Sequence, residues 1–173
     1  MKRILTVSLS LMFILGFWVL ANAIHKITPS EAPELKIAMP GPDADKLNEY
    51  IVVYDPYHRW RLWPGKDKLY KGTEPHGALL KTFVNDEAYW SIKEKKGMAD
   101  GSIIAKENYT ADKKFVALTV MYKIKGYNPE AGDWFWAKYA PDGKVEASGK
   151  VKECISCHGT KKDNDYIMTE KLK

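Results

Sequence analysis

The chain has 173 residues, with 27 Lys and Arg against 22 Asp and Glu and a formal net charge of +5. This balance is only mildly basic, and no lysine run alternates with aromatics, so nucleic-acid binding is excluded as a reading. The length allows one domain with a real core once the first residues are set aside.

Lys2 and Arg3 precede an apolar run, Ile4 to Leu20, broken only by Thr6, Ser8, Ser10 and Gly16, and Ala21-Asn22-Ala23 has the A-x-A form of a cleavage site. Order and composition predict a secretory signal peptide over residues 1–23 and a periplasmic chain. The apolar run is long for a signal, so an uncleaved membrane anchor is the alternative. Residues 24–42 carry Pro29, Pro33, Pro40 and Pro42 and read as a linker. One domain is expected over 43–173.

Asp43-Ala44-Asp45 starts a helix in which Leu47, Tyr50, Ile51 and Tyr54 recur at helical spacing, ending before Pro56. An aromatic stretch from Tyr57 to Gly65 follows, and Lys66 to Pro75 reads as loop. Gly77 to Val84 is strand-like. Asn85 or Asp86 caps a helix from Glu87 to Lys96, which Gly97 ends. Ser102 to Tyr109 is β-like. In the clearest strand, Phe115 to Ile124, Val116, Leu118, Val120 and Tyr122 share a face. Asp133 to Tyr139 is a further strand, and Pro141-Asp142-Gly143 turns the chain into Val145–Ser148. About five short strands predict an α+β fold, an antiparallel β-sheet with flanking helices. Lys161 to Lys173 reads as a polar tail.

Chemistry enters with Cys154-Ile155-Ser156-Cys157-His158, which holds both cysteines of the chain. This C-x-x-C-H run is a c-type haem attachment motif. Two thiols with a two-residue spacer reach both vinyl groups on one porphyrin edge, and the next residue, His158, is carried under the ring to ligate iron. A redox disulfide does not need the adjacent histidine, and a zinc site needs four ligands, for which no second Cys/His pair exists. The predicted cofactor is therefore one covalent haem c, bound by Cys154 and Cys157 with His158 as metal ligand. An aromatic content of 12% suits a domain that must cover a flat apolar group.

The chain resembles the cytochrome P-460 family, which includes lysine-cross-linked haem enzymes and gas-binding c′-beta cytochromes. The resemblance runs from about Tyr50 to the C-terminus. It rests on Phe83-Val84-Asn85-Asp86, Asp100-Gly101-Ser102-Ile103-Ile104-Ala105-Lys106-Glu107, Gly132-Asp133-Trp134-Phe135-Trp136 and the C-x-x-C-H run. It implies an antiparallel sheet with helices, a homodimer, and a five-coordinate haem with an open distal side. It also implies an oxidoreductase of, or a binder for, small nitrogen species (hydroxylamine or nitric oxide), served by a redox partner protein. Lys106 matches the lysine that bonds to the haem ring in the family's enzymes. That chemistry needs an uncharged amine, which burial beside an apolar macrocycle favours. A solvated strand lysine is the plainer alternative.

Two positions depart from the enzymes. Leu80 stands where they carry a pocket arginine, and Leu118 or Thr119 where they carry a proton-relaying carboxylate. Hydroxylamine oxidation must shed protons, so this departure favours a neutral diatomic ligand. His58 and His76 lie in aromatic or turn-rich stretches, where hydrogen-bonded structural roles are expected. Met168, Met98 or Met121 as a sixth ligand would instead make an electron carrier, although methionine is more often core filler. Asn108-Tyr109-Thr110 fits a glycosylation pattern without consequence in a bacterial periplasm. Glu107 should point away from Lys106 on a strand.

Overall fold

The computed structural model describes residues 37–172. The expected signal peptide and most of the linker lie outside the described residues, and the compact unit begins at Ala38. Among the described residues no helix is long and apolar enough to cross a membrane.

The first helix, α1 (Ala44–Glu49), starts where the sequence says it should. Asp43 Oδ1 accepts from the backbone N–H groups of Asp45 and Lys46 at 3.0 Å each, satisfying two donors that a helix start leaves unpaired. A π-helical turn, Tyr50–Tyr54, continues it. A single 3₁₀ turn, Tyr57–Arg59, leads to two short strands, β1 (Arg61–Leu62) and β2 (Tyr70–Lys71). The loop expected over 66–75 thus contributes a strand. Then come β3 (Leu79–Val84), α2 (Asp86–Glu94), β4 (Ile103–Tyr109), β5 (Phe115–Lys123), β6 (Trp134–Tyr139), β7 (Val145–Gly149) and α3 (Lys152–His158).

The seven strands form one antiparallel sheet in the order β1-β3-β4-β5-β6-β7, with β2 also on the outer edge of β3. From β3 onward each strand pairs with the one before it. The fold is α+β, as the strand and helix signals require.

Side-chain alternation gives the sheet two unlike faces. One carries Ile103, Ala105, Leu118, Val120, Tyr122, Phe135 and Ala137, covered by Leu47 and Ile51 of α1 and its continuation. Both of these are fully buried, and each contributes roughly 1.5–3 kcal/mol. Tyr139 ties this layer down, its hydroxyl donating to Ala44 O at 2.8 Å. The other face carries Val84, Ile104, Met121, Trp134 and Trp136, covered partly by Ala88 and Ile92 of α2. It is also covered by Tyr166, Ile167 and Leu172, all buried. The segment expected as a polar tail is therefore core. Its three buried apolar residues are spaced too irregularly to announce a helix or strand.

Asn85 joins α2 to the sheet. Its Oδ1 accepts from Ala88 N at 3.1 Å and Ile103 N at 2.9 Å, and its Nδ2 donates to Gly101 O at 2.8 Å. One buried side chain serves as helix cap and strand bridge. Asn85→Ala leaves all three partners unmatched and is expected to lower stability by about 3 kcal/mol. Urea unfolding measures this, and a loss under about 1 kcal/mol would contradict the assigned role.

Candidate functional site

The second sheet face is not covered along its whole width. Thr82, Lys106, Thr119 and Lys138 are direct cross-strand partners in one row of that face. Beside the row opens a cavity of about 300 Å³. Its sheet wall includes Lys106, Thr119, Met121 and Trp136. Its opposite boundary is α3, with Cys154, Cys157 and His158, and Pro75 and His76 close one side.

α3 presents the attachment motif on a helix. Cys154 and Cys157 are three residues apart and so lie on one helix face, and both thiols are free. Cys154 is half-buried and Cys157 exposed; burial raises the Cys154 thiol pKa, helped by neighbouring Glu153. His158 is 6% exposed. Its Nδ1 lies 2.8 Å from Tyr166 O. A carbonyl only accepts, so Nδ1 carries the proton and Nε2 keeps its lone pair. A ligating histidine is usually oriented in this way. Burial lowers the His158 pKa, against the hydrogen bond to Tyr166, which favours the neutral ring a metal needs. Trp136 packs against it, with ring centroids 4.7 Å apart and planes at 61°.

The Tyr166 carbonyl is itself held. Asp165 and Tyr166 adopt φ values of 57° and 65° after the 3₁₀ segment Gly159–Asn164. Asp165 accepts from Lys123 Nζ and from Met98 N at 2.6 Å each, and Trp134 Nε1 donates to Asp165 O at 3.0 Å. Tyr166 reaches Glu130 O at 3.2 Å. A Cβ on Gly132 would lie 2.7 Å from the Tyr166 ring, where φ is also +69°, so only glycine fits there.

Lys106 is partly buried and lines the cavity. Burial pushes its pKa down to about 8, with Cys157 acting weakly in the opposite sense. A usable fraction of uncharged amine is then present near neutrality. Its neighbour Glu107 is on the other face, as strand geometry predicts. There it takes Tyr57 OH at 3.2 Å and Tyr109 OH at 2.8 Å, with His58 Nε2 at 3.4 Å.

The structure thus brings Cys154, Cys157, His158 and Lys106 together. Of the aligned pair it turns Thr119 to the cavity, while Leu118 packs on the α1 side. Leu80 is buried and does not line the cavity. Met168 is 47% exposed, Met98 is in the core, and only Met121 of the three methionines lines the cavity. His58 is on the far face with Glu107.

His76 is the residue that sequence reasoning set aside and the fold places in the wall. Its loop closes through Gly72 N–H to Ala78 O at 2.8 Å, and Gly77, at φ +101°, packs against Tyr109 O so closely that a Cβ would sit 2.8 Å from it. His76 Nδ1 is 3.5 Å from Thr119 Oγ1. Its ring centroid is 6.1 Å from that of His158, with planes at 86°. Burial, then the charge of Lys106, pulls its pKa down to about 4. The flanking Pro75 and Gly77 were the available signal of a constrained loop.

The donor set fits a covalent haem: two thiols on one helix face, an imidazole with a free Nε2, and a largely apolar cavity between helix and sheet. An α+β domain with this site is a c-type cytochrome. The chain belongs to the cytochrome P460 family, whose model matches residues 57–169, from the 3₁₀ turn at Tyr57 to beyond the attachment motif. No curated protein matches the chain.

Lys106 yields a pH prediction for the haem-free Cys154→Ser/Cys157→Ser chain, in which no thiol titrates. Its pKa falls from 10.5 unfolded to about 8 folded. As pH rises from 8 towards 10, the unfolded state keeps a proton that the folded state has lost, so stability increases, by up to about 1.4 kcal/mol per pH unit. Above pH 10 the tyrosines with raised pKa, such as Tyr57 and Tyr139, oppose the gain. Lys106→Met is expected to remove the rise and to be the more stable chain below pH 8. Parallel denaturant curves at pH 7, 8, 9 and 10 check both.

Proposed function

We propose that this protein is a periplasmic monohaem c-type cytochrome that binds a small neutral nitrogen oxide, nitric oxide being the type ligand. Cys154 and Cys157 hold the haem covalently and His158 supplies the proximal nitrogen. The observation that carries this reading is the convergence of all three on one cavity with Lys106 in its wall. When bound, haem would supply an iron centre able to take a diatomic ligand.

The chain's residues do the rest. The Tyr166 carbonyl keeps His158 correctly turned, and burial favours its neutral ring. Met121, Ile104 and Trp136 give the cavity apolar walls. Leu118 or Thr119 stands where the resemblance puts a proton-relaying carboxylate, and neither is one. Among the described residues the only carboxylate in the lining is Glu153, exposed on α3 beside Cys154. A neutral ligand that sheds no proton suits such a wall. A homodimer and a redox partner protein, both implied by the family resemblance, accompany this reading.

A second reading has its own observation. Lys106 faces the cavity with a lowered pKa, so its amine is available for a bond to the haem ring, and an oxidoreductase of hydroxylamine or nitric oxide would follow. A plain electron carrier with Met168 as sixth ligand has less support, since Met168 is exposed and outside the cavity.

An absorption spectrum with a pyridine haemochrome assay on the exported protein tests the proposal. One covalent haem c per chain is expected, lost or deranged in Cys157→Ala and His158→Ala. A chain that matures without covalent haem sinks it. Lys106→Leu separates the two readings: an unchanged Soret band supports ligand binding without a cross-link, whereas loss of a strongly red-shifted band supports the cross-linked enzyme.

A further inference from the structure

Among the described residues three lysines are partly buried, Lys81, Lys106 and Lys123, and the rest are exposed. Two of the three have a counter-charge. Lys81 Nζ is 3.6 Å from Glu107 Oε2, and Lys123 Nζ is 2.6 Å from Asp165 Oδ1. Lys106 Nζ has no carboxylate within ion-pair reach and no hydrogen bond among the described residues. A charge withdrawn from water without a partner is costly. Two events relieve it: the amine gives up its proton, or an anion comes to it.

The surroundings of Lys106 suit an anion. Thr119, its direct cross-strand partner on β5, adds a hydroxyl to the same wall, and Thr82 on β3 is neutral. Lys138, next in the row on β6, is a second cation, already held by Glu146 at 2.8 Å. From the 72–78 loop comes His76, which burial keeps neutral near pH 7 by lowering its pKa to about 4. From α3 come Cys154 and Cys157, which become uncharged thioethers once haem is attached, His158, which is then committed to iron, and Glu153, which is exposed. Lys106 is the unpaired cation of this wall. The apolar Ile104, Met121 and Trp136 around it screen its charge poorly.

We propose that, in the haem-loaded protein, Lys106 draws a small inorganic oxyanion of the nitrite class into the cavity, a ligand of opposite character to the neutral diatomic. The proposal rests on the haem c reading above, in its form without a lysine cross-link, and keeps the open iron site that the family resemblance implies. Lys106 is then a specificity residue. Its ammonium and the Thr119 hydroxyl offer a charge-assisted contact that a neutral ligand cannot use. Below about pH 8 the ammonium is present and anion affinity is at its plateau. Above it, each anion that binds must bring a proton from solution onto Nζ, so affinity falls by up to about tenfold per pH unit.

Sodium nitrite is titrated into the ferric holoprotein, shown by haemochrome to carry covalent haem, at pH values from 6.5 to 9.5. Binding is read from the Soret band, and proton uptake from calorimetry in buffers of different ionisation enthalpy. Carbon monoxide affinity of the reduced protein is the neutral reference for every variant. The wild type is expected to bind nitrite most tightly below pH 8 and to take up a proton with it at pH 9.5. Lys106→Met is expected to bind nitrite at least about tenfold more weakly at pH 7, with no linked proton. Lys106→Arg, charged at every pH used, is expected to keep the affinity and lose the pH dependence. If Lys106→Met does not accumulate as holoprotein, Lys106→Gln is judged by the same criteria. Nitrite affinity that survives Lys106→Met overturns the proposal and assigns the counter-charge of Lys106 to the haem's own propionates. Proton uptake that survives it also overturns the proposal, since hydroxide at the iron would then be the competing group. A haem peptide whose mass shows Lys106 bonded to the ring overturns it as well. These results leave the haem reading intact. Absence of covalent haem removes that reading instead, so the two failures are distinguishable.

Discussion

The rest of the structure depends on the period-two alternation of β4, β5 and β6. It separates a sealed face from a working face with no help from loops. Ile103, Ala105, Val120 and Ala137 go one way to meet α1; Ile104, Lys106, Thr119, Met121 and Trp136 go the other. A lysine and a glutamate adjacent in sequence therefore end in opposite environments. Lys106 faces an apolar cavity that favours its neutral form. Glu107 is held by two tyrosine hydroxyls and a histidine on the far side. Their pairing registers leave little freedom, since slipping one strand by one residue would exchange the two.

The working face needs a second component, which the C-terminal segment provides. The buried Lys123–Asp165 pair gives up solvation on both partners, and such pairs are weak stabilisers in general. Here the pair has further partners: Asp165 also takes the Met98 amide, and its carbonyl takes the Trp134 indole. The result is a fixed carbonyl at Tyr166, which sets the orientation of His158. Stability and ligand geometry are thus served by the same few contacts. A polar substitution far from the cavity, at Asp165 or Gly132, acts on the histidine through the backbone.

Much of this was legible in the sequence, for local reasons. The attachment motif is legible because its geometry is written in five consecutive residues. The strands β3 to β7 are legible because burial on alternate sides leaves a period-two trace, and the Asp43 and Asn85 caps because capping needs particular side chains at particular places. β1 and β2 were not legible, since two residues show no period. The order of residues 159–172 was missed because Tyr166, Ile167 and Leu172 are buried by long-range packing against Trp63, Trp134 and Ala131 rather than by a local pattern. The place of His76 in the cavity wall was not legible for a similar reason. Its position depends on the approach of Gly77 to Tyr109 at the end of β4, a contact between segments thirty-odd residues apart.

The strand order carries a consequence for how the molecule is assembled. Because β3 to β7 form a meander in which each strand pairs with its predecessor, the sheet takes nothing from α3 and relies on short-range contacts, which form early in folding. The chain emerges N-terminus first, so the receiving wall precedes the two thiols in synthesis. The last helix then docks onto a surface already shaped for its cargo. The late position of Cys154 and Cys157 keeps both nucleophiles out of the protein's earliest collapse.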